Sequence, residues 1–182
     1  MITRKHFISL FISFAVVLIS VQLKNIERAD SVPAQVVNET ITTSTVRVTR
    51  IVDGDTFEVK IGGQFEKVRM LGIDTPESVD PRKPVQCFAK EASKKLAELI
   101  GDREIVLTAD FTNDDRDKYG RLLRYVQRID GLKVNEEMIK QGYAYAYIKF
   151  PFERRAEYLT LQSNARSMGL GLWATTTCSG RR

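Results

Sequence analysis

Histidine and cysteine are scarce in this chain of 182 residues, which has one histidine, His6, and two cysteines, Cys87 and Cys178. A single histidine close to the N-terminus excludes a Ser-His-Asp triad, a histidine base inside the folded domain and a histidine-ligated zinc site. Two cysteines far apart in the sequence exclude a four-cysteine metal site and a CxxC redox motif. Any catalysis must therefore use carboxylates, arginine, lysine, hydroxyls or a metal held by oxygen.

The composition is that of an ordinary globular domain, with 43% hydrophobic and 28% charged residues. The 28 Lys and Arg exceed the 23 Asp and Glu, so the formal net charge is +5. Residues 1–30 carry +2 of this charge, which leaves only +3 for the remainder. Because a charge this small does not identify an anionic partner, the positions of the basic residues matter more than their number.

Residues 1–30 have the features of a targeting or anchoring segment. Arg4 and Lys5 precede an uncharged run of 17 residues, from Phe7 to Leu23. This length is at the short limit for a membrane-spanning helix and slightly long for a cleavable signal core. We expect either an uncleaved membrane anchor or a cleaved signal peptide, and in both cases an extracytoplasmic protein, secreted or tethered. Residues 31–43 lack periodicity, which predicts a flexible linker.

Residues 44–175 predict one α+β domain, mainly a β-barrel, with a tail over residues 176–182. Strands are predicted over 46–52, 57–61, 65–73, 104–108 and 122–126, with turns at Asp53-Gly54 and Gly62-Gly63. Helices are predicted over 88–100, 134–141 and 153–168, each followed by glycine. This order resembles an OB-fold, a five-stranded Greek-key barrel with three helices, although it also permits another α+β roll.

Two pairs of carboxylates lie where predicted strands end. Asp53 and Asp55 lie at the turn between the first and second strands, and Asp74 and Glu77 follow the third. Asp-Gly alone is typical of a hairpin turn, but two carboxylates two residues apart also suit a hard cation. The second pair fits either an acidic surface loop or a functional group of residues at the barrel rim.

Cationic residues occur in the third strand and before the fifth. Arg69 lies between Val68 and Met70, where an arginine is most often on a solvated edge. The segment from Asp117 to Arg121 is either a basic turn or a phosphate-binding loop. In the second case Lys118 and Arg121 would bind phosphate and the ring of Tyr119 would stack on a base or bond a phosphate.

Together and in this order, these motifs resemble the staphylococcal nuclease (thermonuclease) family. The resemblance extends over residues 45–175, with no insertion or deletion between Asp53 and Arg121. Later matches are Val134-Asn135-Glu136, Gln141-Gly142 and Gly171-Leu172-Trp173. The resemblance implies an SNase-like OB-fold domain and a Ca²⁺-dependent nuclease that hydrolyses DNA and RNA and leaves 3′-phosphate ends. We further expect a preference for single-stranded or frayed nucleic acid and a monomeric protein, although the sequence does not determine the oligomeric state.

The family pattern implies a role for each matching residue. Asp55 and Asp74 resemble direct Ca²⁺ ligands, and the main-chain carbonyl of Thr75 and water molecules would complete the coordination of the ion. Asp53 would lie near the ion without contacting it directly. Glu77 resembles the general base that activates the attacking water. The other matches bind phosphate: Arg69 and Arg121 at the scissile group, Lys118 and Tyr119 at a second phosphate.

Phosphodiester hydrolysis is chemically consistent with these residue types. Calcium takes oxygen ligands and needs no histidine, and the arginine fork matches two phosphate oxygens. The alternatives are a non-catalytic membrane-tethered nucleic-acid-binding OB-fold module and a tethered protein-interaction module. Neither requires the complete set of Asp55, Arg69, Asp74, Glu77 and Arg121.

Two further segments, one rich in tyrosine and one acidic, each admit more than one interpretation. The three alternating tyrosines, Tyr143, Tyr145 and Tyr147, either pack in the core or stack on nucleobases. The sequence departs from the family pattern there, so it does not indicate which tyrosine contacts a base. The acidic run over 113–117 lacks the glycine and the closing glutamate of an EF-hand, and we interpret it as a solvated loop.

Cys87 and Cys178 would lie in an oxidising compartment if the protein is exported. Cys87 precedes the first long helix and Cys178 follows the last helical segment. We therefore expect a disulfide that ties the C-terminal tail to that helix, and the alternative is two free thiols.

Overall fold

The computed structural model describes residues 45–78 and 84–181. The predicted anchor or signal peptide over 1–30 and the predicted linker over 31–43 lie outside these residues. Within the two described ranges, no helix has the length and apolar character needed to cross a membrane.

Five of the seven strands found in residues 45–78 and 84–181 close a β-barrel. The strands are β1 Thr45–Asp53, β2 Thr56–Ile61, β3 Gln64–Met70, β4 Ile73–Asp74, β5 Glu104–Thr108, β6 Leu122–Arg128 and β7 Tyr145–Ala146. The order around the barrel is β1-β2-β3-β6-β5, closed by antiparallel pairing of β1 with β5. Only β3 and β6 pair in parallel. This strand order is consistent with the expected OB-like fold.

Three helices in the described ranges accompany the barrel, as predicted: α1 Ala89–Ile100, α2 Val134–Lys140 and α3 Arg155–Ser167. A short 3₁₀ helix, Gly171–Trp173, follows them. The apolar stripe of α1 is buried, with Ala92, Leu96 and Ile100 at most 1% exposed. These side chains join the alternating apolar residues of β2 and β3 in one core. The predicted five-stranded barrel with three helices is thus confirmed.

The end of the third strand differs from the prediction. A continuous strand was expected up to Ile73, but β3 ends at Met70 and a turn at Leu71-Gly72 separates it from β4, which pairs with β7. Gly72 has a φ of +71°, and a Cβ there would lie 2.6 Å from the Phe152 ring. Because only glycine meets both conditions, the chain turns at this residue and brings Asp74 into register with Tyr145.

Candidate active site

A cavity of about 660 Å³ lies where β1 turns into β2 and where β3 ends. Its walls come from four parts of the chain that are distant in sequence: the β1–β2 turn, the segment from β3 to the β4 loop, the loop before β6, and the segment after β7. All nine residues predicted to bind metal or phosphate or to act as the base are among the residues that line it: Asp53, Asp55, Arg69, Asp74, Thr75, Glu77, Lys118, Tyr119 and Arg121.

Asp55 is held in place by the loop that follows β4. Its Oδ2 accepts hydrogen bonds from the backbone N–H of Thr75 at 3.0 Å and from the Thr75 hydroxyl at 3.2 Å. Both residues are about 95% buried, with exposures of 6% and 5%. A Cβ at Gly54 would lie 2.8 Å from Thr75 Oγ1 and 2.8 Å from the Cβ of Ala92. The missing side chain at Gly54 is what allows the two loops to approach this closely.

Arg69 lies between the two carboxylates that were predicted to bind metal. Its Nη2 is 3.1 Å from Asp55 Oδ2 and 3.1 Å from Asp74 Oδ1. Its Nη1 donates to the carbonyls of Met70 and Ile73, at 2.6 and 2.8 Å. The side chain is only 12% exposed, so Arg69 does not occupy the solvated edge where a strand arginine most often lies. One positively charged nitrogen therefore already bridges these two carboxylates.

Asp53 connects the first carboxylate pair to the loop that carries Glu77. Asp53 Oδ1 accepts hydrogen bonds from the Gly54 N–H at 2.8 Å, from Ser78 Oγ at 2.7 Å and from Ser93 Oγ at 3.3 Å. Burial raises the pKa of Asp53 above its ordinary value, and the bonds from Ser78 and Gly54 oppose that rise. Asp53 thus links β1, the Glu77 loop and α1, a role for which Ser78 and Ser93 carried no sequence signal.

Arg121 is oriented by Asp117, and both residues belong to the cavity wall formed by the loop before β6. Asp117 Oδ2 is 2.7 Å from Nε and 2.6 Å from Nη2 of Arg121, and its Oδ1 accepts the N–H groups of Tyr119 and Arg121. Burial alone would raise the pKa of Asp117, but the hydrogen bonds from Arg121 outweigh it and lower that pKa overall. The interpretation of this acidic run as merely solvated is therefore wrong for Asp117, which organises the turn before β6.

Lys118 and Tyr119 lie on the outer edge of the same wall. The Tyr119 ring is 72% exposed, with Lys118 Nζ 4.9 Å and the Arg121 guanidinium 5.4 Å from its centroid. An exposed aromatic ring flanked by two cations can contact both a base and a phosphate.

The three alternating tyrosines separate into different environments. Tyr143 packs on Phe88 at 5.2 Å between ring centroids, and Tyr145 packs edge-on against Trp173 at 5.2 Å. Tyr147 lines the cavity and lies 6.0 Å from the Phe150 ring, which is also part of the cavity wall. Of the three, Tyr147 is therefore the one placed to meet a ligand in the cavity.

Cys87 and Cys178 form a disulfide in the structure. The bond joins the segment before α1 to the C-terminal tail, which is the pairing expected from the sequence. Neither cysteine lines the cavity.

Comparison with known protein sequences identifies a family and several named relatives. Residues 67–175 match the family model described as staphylococcal nuclease homologue. The chain is 39% identical over 131 residues to Endonuclease YncB of Bacillus subtilis and 38% identical over 133 residues to the SPbeta prophage-derived endonuclease YokF of the same organism. It is also 34% identical over 133 residues to the Thermonuclease of Staphylococcus hyicus.

Each of these alignments includes 71% of the present chain. The matched region spans 61% of YncB, 44% of YokF and 76% of the Staphylococcus hyicus protein. The family match and the identity to the Thermonuclease confirm the resemblance found in the sequence. The chain is a member of the staphylococcal nuclease family.

Proposed function

We propose that this protein is a Ca²⁺-dependent nuclease that hydrolyses phosphodiester bonds in DNA and RNA and leaves 3′-phosphate ends. The observation that carries the proposal is the convergence of the nine predicted residues on one cavity. The names of the relatives, endonuclease and thermonuclease, support hydrolysis of nucleic acid. A purely binding module would not need the carboxylates Asp55, Asp74 and Glu77 in the same cavity as Arg69 and Arg121.

The residues of the cavity fit a calcium ion. Asp55 and Asp74 each place an oxygen 3.1 Å from the same nitrogen of Arg69, so the two carboxylates converge on one point where positive charge is already bound. In the described part of the chain no three His, Cys, Asp or Glu side chains are grouped as a metal site. A calcium ion would therefore rely on these two carboxylates, the Thr75 carbonyl and water. When bound, it would neutralise phosphate charge and orient water.

The chain's own residues supply the remaining chemistry. Glu77 takes a proton from water as the water oxygen bonds to phosphorus, and the P–O5′ bond breaks as the leaving 5′ oxygen takes up a proton from solvent water. Arg121 binds the phosphate oxygens and stabilises the negative charge that develops on them. Arg69 contributes a second positive charge and keeps Asp55 and Asp74 close together. Positioned proton transfer is worth about 10²- to 10⁴-fold in rate, and a preorganised cation about 10²- to 10³-fold.

Substrate binding follows from the outer walls of the cavity. Lys118 and Tyr119 would bind a neighbouring phosphate, and Tyr147 would stack on a base. Such contacts reach phosphates and base faces rather than base edges, so we expect little sequence preference. Stacking also requires an unpaired base, which favours single-stranded or frayed substrates.

Removal of calcium is expected to abolish cleavage. The full chain should nick single-stranded DNA and RNA in millimolar Ca²⁺, lose this activity in EGTA and regain it when Ca²⁺ is restored, because the carboxylates cannot position phosphate and water alone. Products are separated on denaturing gels, and their ends are tested with a phosphatase specific for 3′-phosphate. Nucleic-acid binding without cleavage in Ca²⁺ would contradict the proposal and favour a binding module.

Replacement of Asp117 by Asn should lower kcat about tenfold with little loss of stability. The amide keeps the shape of the side chain but holds the Arg121 guanidinium less firmly, and small misplacements of a catalytic group are costly. Asp115→Asn is the matched control, because Asp115 pairs with Arg124 at 2.6 Å and lies outside the cavity lining. Equal kcat values for the two variants would show that Asp117 does not serve Arg121.

A further inference from the structure

The backbone of Glu77 is held by a residue that the family motifs did not single out. The Glu77 N–H donates to Gln86 Oε1 at 2.8 Å, and the Gln86 N–H donates to the Glu77 carbonyl at 3.0 Å. These reciprocal bonds join the two ends of the segment between residues 77 and 86. The peptide groups on both sides of the Glu77 Cα are therefore fixed to one residue.

Gln86 is in turn attached to the rest of the fold on its C-terminal side. Its carbonyl accepts the Ala89 N–H at 3.2 Å, in the first turn of α1. The next residue, Cys87, is bonded to Cys178, which is only 3% exposed. Gln86 thus lies between the Glu77 backbone and a covalent connection to the tail.

The C-terminal tail is bonded to the 3₁₀ helix and to β7. The Gly180 N–H donates to the Leu172 carbonyl at 2.8 Å, and the Tyr145 hydroxyl donates to the Gly180 carbonyl at 3.3 Å. Tyr145 belongs to β7, where it is in register with Asp74 of β4. The tail therefore contacts the strand pair that carries Asp74, and the disulfide connects it to Cys87, the neighbour of the residue that holds Glu77.

We propose that Gln86 is a positioning residue for Glu77, and that the Cys87–Cys178 disulfide keeps Gln86 in place. The inference rests on the proposed function, in which Glu77 acts as the base. A carboxylate base works only when its oxygen lies within hydrogen-bond reach of the water that it deprotonates. Loss of either the Gln86 side-chain oxygen or the disulfide would let the Glu77 backbone move. Because Glu77 acts on the attacking water, this movement should lower kcat more than it weakens substrate binding.

The first test removes the acceptor and measures two independent quantities in the full-length chain. Gln86→Met should lower kcat about 10- to 100-fold with little change in KM. Hydrogen exchange, measured without metal or substrate, should be at least about tenfold faster at the Glu77 amide. The Thr75 amide, which bonds to Asp55 instead, should keep its rate. Gln86→Glu retains an acceptor oxygen and should restore slow exchange.

The matched control is Gln162→Met. Gln162 Oε1 also accepts a backbone N–H, that of Ala146, at 2.8 Å, and Gln162 does not line the cavity. Its replacement should cost similar stability while kcat stays within about twofold of the unmodified protein. If Gln86→Met has no greater effect on kcat than this control, Gln86 does not position the base.

The second test addresses the disulfide. The variant Cys87→Ser/Cys178→Ser should show faster exchange at the Glu77 amide and a kcat about tenfold lower, measured where circular dichroism shows it folded. Dithiothreitol should shift the unmodified protein toward these values and leave the serine variant unchanged. Unchanged exchange and kcat in the serine variant would overturn the role of the disulfide.

Glu77→Gln separates this inference from the proposed function. If that variant keeps full activity, Glu77 is not the base and the proposed function fails, whatever Gln86 does. If it loses activity while Gln86→Met alters exchange but not kcat, the base is correct and the positioning role is refuted.

Discussion

Replacement of Glu77 by Gln is expected to lower kcat for DNA cleavage by about 10²- to 10⁴-fold, the range that a positioned general base supplies. Glutamine has the same shape as glutamate and preserves the backbone bonds to Gln86, but its amide cannot accept a proton from water. Because Glu77 is not among the proposed metal ligands, calcium affinity should change little. Single-turnover cleavage in saturating Ca²⁺ measures the rate, and calorimetry measures calcium binding.

The control for this substitution is Glu137→Gln. Glu137 belongs to α2, interacts with Lys140 and Gln141 and does not line the cavity. Its replacement should leave kcat unchanged. A Glu77→Gln protein that cleaves within about threefold of the unmodified rate would rule out Glu77 as the base.

Arg121→Ala is expected to lower kcat by about 10²- to 10³-fold while the protein remains folded. The Asp117 pairing fixes the guanidinium before substrate arrives, so its charge is already in position when negative charge develops on the phosphate. Arg121→Lys should recover only part of the loss, because an ammonium group lacks the planar fork. Cleavage rates and thermal unfolding are measured on the same preparations.

Arg124→Ala is the matched control, since Arg124 is an arginine of β6 that pairs with Asp115 and lies outside the cavity lining.

A double variant provides a further check. Once Arg121 is alanine, adding Asp117→Asn should have almost no further effect on kcat, because Asp117 acts through Arg121. Additive losses would indicate that Asp117 acts independently, and equal losses in Arg121→Ala and Arg124→Ala would contradict the role of Arg121.

Local patterns were sufficient to predict most of the elements. The i, i+4 stripe from Phe88 to Ile100 predicted α1, and Gly62-Gly63 predicted the turn between β2 and β3, because helix periodicity and turn chemistry depend on neighbours in sequence. The same patterns failed at Gly72. There the break in the strand depends on contact with Phe152 and Tyr158, which lie some eighty residues further along the chain.

The site residues likewise divide into those that the sequence pattern predicts and those whose role depends on tertiary contacts. Asp55, Asp74, Glu77 and Arg121 were identified because their types and order match a family pattern. Gln86, Ser78 and Asp117 were missed as supporting residues. A glutamine, a serine and one aspartate in an acidic run have no signal of their own, since their importance lies in the partner that each one bonds.

The family resemblance, the succession of strands and helices and the set of groups available for chemistry without histidine could all be predicted from residue types and their order. Only the tertiary structure decided that Arg69 bridges two carboxylates, that Tyr147 rather than its neighbours lines the cavity, and that Gln86 holds the Glu77 backbone. The difference lies in the sequence distance over which the responsible interactions act. Periodicity, turn preference and residue type act over a few positions, whereas hydrogen bonds and ion pairs across the cavity depend on how distant segments are packed together.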